Sequence, residues 1–433
     1  MQSQSLPGFR DFYPDQAALR NHMFAVWRGV AARYGFEEYD GPPLEPLELY
    51  VEKSGPEIVE QLYNFEDKGG RQVALRPEMT PTLARMVAAR ARALKKPIRW
   101  FTIGQMYRYE RQQRGRLREH YQINMDLIGE PGPLADAELI AAAIDLLRGF
   151  GLTAGDVRAR VSDRRLAHGL LESQGLSQEQ IVRAYAHIDK SGREPRESLV
   201  ESLAGRAGIS EEAAGRALDI GEIRSLEAVR EALAGSGREE AGAPLAECVA
   251  MLNAMGLGDF VDVDLSIVRG LDYYTGIVFE LFDVRRSLRA ICGGGRYDGL
   301  LQALGGVDLP ATGFAMGDVV LGELLKEHDV VPGSGERLDA FLVAVTGEDI
   351  EPVLRLAHEL REAGLSVEFS LKQQSVGKQL KLAASRPARW AVMVGPDERA
   401  AGSAVVRDLE SGSEDQVSFA DLSAHCAAGE RGG

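Results

Sequence analysis

The sequence predicts an α+β protein, and three stretches of it carry that prediction. Residues 99–126 read as two strands, rich in aromatic and β-branched side chains, joined by a polar loop that contains a glycine. From about 163 to 244 the composition turns to Ala, Glu, Arg and Leu with repeated Gly breaks, which reads as a helical module inserted between two pieces of sheet. From 338 onward strands and helices alternate, as in a small α/β unit with a mostly parallel sheet.

In chain order, residues 16–35 place Leu19, Met23, Val26, Trp27, Val30, Ala31 and Tyr34 at helical spacing, and Gly35 ends the pattern. A short strand over 36–40 follows, then the break Gly41-Pro42-Pro43, which suits a sheet edge. This helix and edge suit either ordinary packing or a dimer contact. Residues 73–94 read as a short strand ending at Arg76-Pro77 and a helix from Thr80 with Pro81 in its first turn. Glu78 and Thr80 thus stand at a strand-to-helix junction, where they either cap the helix or converge on a ligand.

The hairpin follows. On its returning strand, alternation puts Tyr121, Ile123, Met125 and Leu127 on one face and His120, Gln122, Asn124 and Asp126 on the other. One face is apolar; the other can hydrogen-bond a ligand. Between residues 95 and 118 there are eight basic side chains and one acid, Glu110, in a chain of formal net charge −15. Such a ribbon is either a solvated surface or a local anion-binding field. A helix over 136–150 buries Leu139, Ile140, Ala143, Ile144 and Leu147. Within the helical module, His168 and His187 read as surface or core histidines rather than ligands.

Strands resume at 260. Arg269 beside Gly270 can approach a ligand closely, paired tyrosines follow, and Gly293-Gly294-Gly295 permits close backbone approach. Residues 311–317 lead into an apolar helix, and 331–336 read as a linker. The final module is read as strands at 339–345, 366–369, 390–394 and 404–409, with helices at 349–363 and 374–385.

A chain of 433 residues calls for two or three domains. The balance of 65 Asp+Glu against 50 Lys+Arg excludes wholesale packaging of nucleic acid but does not exclude a nucleic-acid partner such as tRNA, because phosphate contacts need only a local basic groove. Three scattered cysteines suggest neither a disulfide framework nor a structural zinc site. With no signal pattern and no long apolar run, a cytoplasmic protein without membrane contact is expected.

Five strings bring a family resemblance: Leu75-Arg-Pro-Glu-Met-Thr80, Tyr107-Arg-Tyr-Glu-Arg111, Arg116-Leu-Arg118, Arg269-Gly-Leu-Asp-Tyr-Tyr274 and Gly293-Gly-Gly-Arg-Tyr-Asp298. Together they resemble the histidyl-tRNA synthetases, which are class II aminoacyl-tRNA synthetases, over residues 5–425. The resemblance implies a catalytic domain on an antiparallel sheet (1–162 and 246–330), a helical insertion (163–245) and a C-terminal α/β anticodon-binding domain (338–426). It implies activation of histidine by ATP to histidyl-adenylate and pyrophosphate, transfer to the 3′ end of tRNA(His), Mg²⁺ accompanying ATP, and a homodimer.

By the same resemblance, Arg108, Arg269 and Gln122 carry the catalysis, the two arginines about the α-phosphate and Gln122 along the histidine carboxylate. Glu78 and Thr80 take the α-amino group, Asp126 and Tyr274 the two imidazole nitrogens, and Met79 and Tyr273 complete the histidine set. Arg108, Glu110, Arg116, Gly294 and Gly295 attend ATP, and Gln113 and Arg114 the tRNA acceptor end. No protein-held metal is expected.

Two departures stand out. Asp126 occupies a position where bacterial members often have glutamate. Val320 ends Gly317-Asp318-Val319-Val320, where the class's third motif has an arginine near the γ-phosphate, so Arg116 or Mg²⁺ is expected to compensate. The alternative reading is a regulatory, histidine-binding subunit of ATP phosphoribosyltransferase.

Overall fold

The computed structural model describes residues 5–109, 115–192, 194–268, 274–285, 288–330, 338–386 and 388–428. Glu110, Gln113, Arg114, Arg269 and Tyr273 lie outside the described residues. The chain forms two compact units, 1–332 and 333–433.

In the first unit α1 (Pro14–Arg33) starts with proline at its first turn, and Gln16 reaches back to the Tyr13 amide at 3.1 Å. Met23, Trp27, Val30 and Ala31 are its buried side chains, four of the seven positions expected from periodicity. After β1 (Glu37–Glu38), a small antiparallel sheet forms from β2 (Leu44–Pro46), β3 (Asn64–Glu66) and β4 (Gln72–Leu75), in the order β2-β4-β3, with α2 (Leu47–Ser54) between β2 and β3. The junction from β4 runs into α3 (Thr80–Arg90).

The hairpin is longer than its β-prone core. Strands β5 (Ile98–Tyr107) and β6 (Glu119–Ile128) pair without a bulge from Ile98↔Ile128 to Tyr107↔Glu119. Helix α4 (Pro133–Arg148) is buried nearly all round, because it lies in the core shared by α1 and the apolar face of β6. Strand β7 (Val157–Asp163) is followed by α5 (Arg164–Ser173), α6 (Gln178–Ile188), α7 (Arg196–Ala207), α8 (Glu211–Asp219), α9 (Leu226–Leu233) and α10 (Ala243–Ala254). Asp163, Ser177, Ser210 and Ser225 cap four of these helices, the residue types that satisfy orphan amides at helix starts. Their apolar stripes join the core beneath the sheet.

Strands β8 (Val261–Val263), β9 (Ile277–Asp283), β10 (Cys292–Arg296) and β11 (Ala311–Gly317), with α11 (Leu300–Gly305) and α12 (Asp318–Glu327), complete the unit. The large sheet runs β1-β5-β6-β11-β10-β9-β7-β8. Its six inner strands are antiparallel throughout, and only the short edge strands pair in parallel.

The second unit has its own core around Leu342, Val353, Leu356, Val392 and Val406. It comprises β12 (Ala340–Ala344), α13 (Ile350–Glu362), β13 (Val367–Phe369), α14 (Val376–Ser385), β14 (Trp390–Val394), α15 (Pro396–Ala401), β15 (Ser403–Asp408), β16 (Glu414–Ser418) and α16 (Leu422–Ala427). The expected mostly parallel sheet is instead evenly mixed: β12 pairs in parallel with β13 and β14, while β14–β15 and β15–β16 are antiparallel. Strand β16 escaped the reading because Glu414-Asp-Gln-Val-Ser418 buries Val417 alone, which leaves no apolar alternation to detect.

Candidate active site

Register builds the floor of the cleft. Gln122, Asn124 and Asp126 stand opposite Gly104, Thr102 and Trp100 of β5, and opposite Gly317, Ala315 and Gly313 of β11. One strand further, Gly293 and Gly295 pair with Ala315 and Gly313, and Glu280 and Val278 of β9 with Gly293 and Gly295. Partners across a ladder share a face, so polar side chains of β6 rise beside the small residues of β11 and β10. A Cβ on Gly313 would collide with the Asp126 carboxylate, and one on Gly295 would lie 3.1 Å from Tyr274 Cδ1. Asp126 and Tyr274 therefore stand over neighbouring strand positions. Gly294 does not join them. Its missing side chain faces Phe314 on the opposite side of the sheet.

Asp126 is 3% exposed and accepts a hydrogen bond from the Tyr297 hydroxyl. Burial pushes its carboxyl up to about 7, against the lowering effects of Tyr297 and of the Lys53 ammonium. The Tyr39 hydroxyl, whose own pKa is raised by burial and by Asp126, is buried with no hydrogen-bond partner among the described residues. Gln122 donates to Asn124 Oδ1 at 2.7 Å, and its Oε1 is 3.4 Å from His120 Nε2. Burial, with Arg108 nearby, lowers His120 to about 4, so this histidine is neutral at pH 7 and adds no charge.

The β4–α3 junction closes over this floor. Arg76 binds the backbone carbonyls of Gln105 and Gly41 and the Asp40 carboxylate at 2.7–3.0 Å, lying across the space left by Gly104. Glu78 is then held by Lys53, whose side chain is 1% exposed. Burial lowers the lysine's pKa, and Glu78 opposes that shift. Arg108 donates to the Pro77 carbonyl at 3.1 Å, so it meets the junction as well. Thr80 opens α3 and is half-buried. Met79 is fully buried, with its Cε 3.7 Å from where a Cβ on Gly41 would lie.

Beyond Gln122 a cavity of about 250 Å³ opens, lined by Arg108, Arg116, Arg289, Glu280 and Val320 among others. Asp318 faces away from it. Its carboxylate accepts from Arg10 at 2.9 Å and from the Tyr121 amide at 2.9 Å, which pins the start of α12 to β6. Arg296, in the string Gly293-Gly-Gly-Arg-Tyr-Asp298, is also structural. It is 1% exposed and binds Asp136 at 2.9 Å and the carbonyls of Glu130 and Gly132 at 3.0 Å.

Lys53, Tyr39, Tyr297, Glu280 and Arg289 are additions to the residues expected from sequence. Only Tyr297 had a signal, its place in the glycine-rich string.

Comparison with known proteins follows the same lines. A family model described as histidyl-tRNA synthetase matches residues 8–318, and one described as anticodon binding domain matches 339–428. The chain belongs to the histidyl-tRNA synthetase family. It is 47% identical to the histidine–tRNA ligase of Opitutus terrae over 96% of this chain and 95% of that protein. The crystal structure of histidyl-tRNA synthetase from Nostoc sp. PCC 7120 superposes with a TM-score of 0.85 at 25% identity, covering 99% of both chains. An ATP phosphoribosyltransferase regulatory subunit/histidyl-tRNA synthetase from Bacillus halodurans C shares the fold, with a TM-score of 0.75 at 22% identity over 91% of this chain and 99% of that one. The class II fold, and the histidine–tRNA ligase class with its use of ATP, are thus as the sequence led one to expect.

Proposed function

We propose that the cleft on the large sheet condenses histidine with ATP and then passes the histidyl group to tRNA(His). The observation that carries this reading is the single line of side chains from Asp126 and Tyr274 through Gln122 to Arg108. It runs from the buried Asp126 carboxylate toward a cationic cavity.

At the buried end Asp126 and Tyr274 each take one imidazole nitrogen. A ring offering two distinct nitrogens is told from other side chains by a partner at each. Glu78, oriented by Lys53, and Thr80 receive the α-amino group. Gln122 lies along the carboxylate and aims one oxygen at the α-phosphorus. Attack forms the acyl–phosphate bond as the bond to pyrophosphate breaks. Arg108 and Arg269 hold the α-phosphate, so positioning and charge neutralisation supply the catalysis. Glu110, Arg116 and the backbone at Gly295 attend ATP, and Gln113 and Arg114 the acceptor end of tRNA.

Mg²⁺ that enters with ATP fits one feature of the cavity, the Glu280 carboxylate on its wall. Glu280 would hold the ion there through its carboxylate oxygens, the hard donors that Mg²⁺ prefers. The ion's contribution when bound is to neutralise charge on the phosphates.

The match to an anticodon-binding model supports a tRNA-reading role for residues 338–426, and the helices of 163–245 form the insertion. A homodimer in the cytoplasm completes the reading. The resemblance of the helix at 16–35 and of Pro42 to the class's first motif supports the dimer, and no helix among the described residues is long and apolar enough to cross a membrane.

Histidine-dependent exchange of pyrophosphate into ATP, followed by charging of tRNA(His), tests the proposal. Exchange that depends on histidine and on no other amino acid is expected. Histidine binding without exchange would return the regulatory-subunit alternative, toward which Val320 in place of the third-motif arginine points.

A further inference from the structure

The phosphate end of the cleft presents a cation that the sequence motifs do not account for. We propose that Arg289, from the β9–β10 connection, grips the pyrophosphate portion of ATP and supplies the positive charge that Val320 cannot. This rests on the reading of the cleft as an ATP site.

Three observations converge on it. Arg289 lines the same cavity as Arg108, Arg116 and Val320, and Glu280 is the carboxylate it shares that wall with. It also lines the adjoining cavity of about 660 Å³, so it stands where the two meet. A Cβ on Gly115 would lie 3.4 Å from Val320 Cγ2 and 3.9 Å from Arg289 Cδ. The arginine stem therefore passes beside the valine, and its guanidinium serves the region that a long side chain at 320 would have reached.

The residues flanking Arg289 are anchored. The Leu288 amide donates to Asp283 Oδ1 at 3.2 Å, and the Ile291 amide to the Leu281 carbonyl at 2.8 Å. Ile291 is buried in the core and Leu288 packs against it. The guanidinium is thus carried on a fixed base, as positioning of a polyanion requires. Asp318, two residues before Val320, is committed to Arg10 and the Tyr121 amide and leaves the cationic character of the cavity intact. What a triphosphate needs is a planar, permanently charged donor set at the right place, whichever strand supplies it.

Steady-state pyrophosphate exchange with Arg289→Ala tests this in the full chain. KM for ATP and for pyrophosphate should both rise by roughly 10- to 100-fold, the loss of one charge-assisted contact, while KM for histidine stays within about twofold. Arg289→Lys should fall between the two. Val320→Arg placed on Arg289→Ala should recover part of the loss, provided its melting curve matches the parent. Unchanged KM for both ATP and pyrophosphate in a folded Arg289→Ala variant would overturn the proposal, as would an equal rise for histidine. If the unaltered chain showed no histidine-dependent exchange, the reading of the site would fail instead.

Discussion

Lys53 buries its ammonium group against Glu78, making an ion pair between α2 and the β4–α3 junction. A lysine at 1% exposure is kept charged only by its partners. Lys53→Met should therefore leave Glu78 without its holder and lower stability by about 3 kcal/mol. It should also raise KM for histidine more than KM for ATP. Denaturant melts and separate KM determinations check both, and equal changes in the two KM values would argue for a purely structural lysine.

The Tyr297–Asp126 contact sets a pH dependence. The Asp126 carboxyl is raised from 3.8 to about 7 in the folded chain. Between about 4 and about 7 the folded state keeps a proton that the unfolded chain has released, so this group makes stability fall as pH rises through that window. The imidazole N–H needs an ionised acceptor, so kcat/KM for histidine should rise toward and above pH 7 through this group. Tyr297→Phe removes a hydrogen bond that lowers the pKa, and Lys53→Met removes a cation that does the same. Each should move the midpoint of the rise to higher pH. An unmoved midpoint in both variants would assign the titration elsewhere.

Gly313 leaves the space that the Asp126 carboxylate fills. Gly313→Ala should displace that carboxylate and raise KM for histidine by roughly 100-fold, the scale of one buried charged hydrogen bond lost. KM for ATP should stay near the parent value, because the cationic cavity proposed for the phosphates lies beyond Gln122. Kinetics with each substrate varied in turn would separate the two.

Arg296 and Asp136 form a buried pair, 1% and 2% exposed at their side chains. Arg296→Met should cost about 3–5 kcal/mol by stranding Asp136, and Arg296→Met with Asp136→Leu should recover part of it. Chemical denaturation of the four chains of this cycle measures the coupling.

The second compact unit has its own core, so a chain ending at 332 should still fold as the first unit. Pyrophosphate exchange should survive in it, and tRNA charging should drop by an order of magnitude or more, roughly the loss of one bound module's effective concentration. Equal loss of both activities would argue against a separate tRNA-reading unit.

The hairpin was legible because alternation over β6 is strict, and α1 and α4 because their apolar residues keep helical spacing. The polar face of His120, Gln122, Asn124 and Asp126 could be named before any strand was placed. Lys53 could not, since nothing near residue 53 indicates that it folds back on Glu78. Tyr297 was visible as part of a motif but not as the partner of a residue 171 positions away. The glycine-rich string likewise concealed a division of labour. Gly295 leaves space beside Tyr274, Gly294 packs against Phe314 on the opposite side of the sheet, Arg296 ties the sheet to α4, and Tyr297 holds Asp126.

Local pattern by itself determined the elements, the faces of the hairpin and the chemical types available to the site, because periodicity and propensity act over neighbouring residues. Sheet order and burial decided the rest. They chose which glycines face the cleft, which arginines serve structure and which line the cationic cavity, and how high a buried carboxyl titrates. Those properties depend on distances between residues far apart in the chain and on the exclusion of water, and both arise only when the sheet closes.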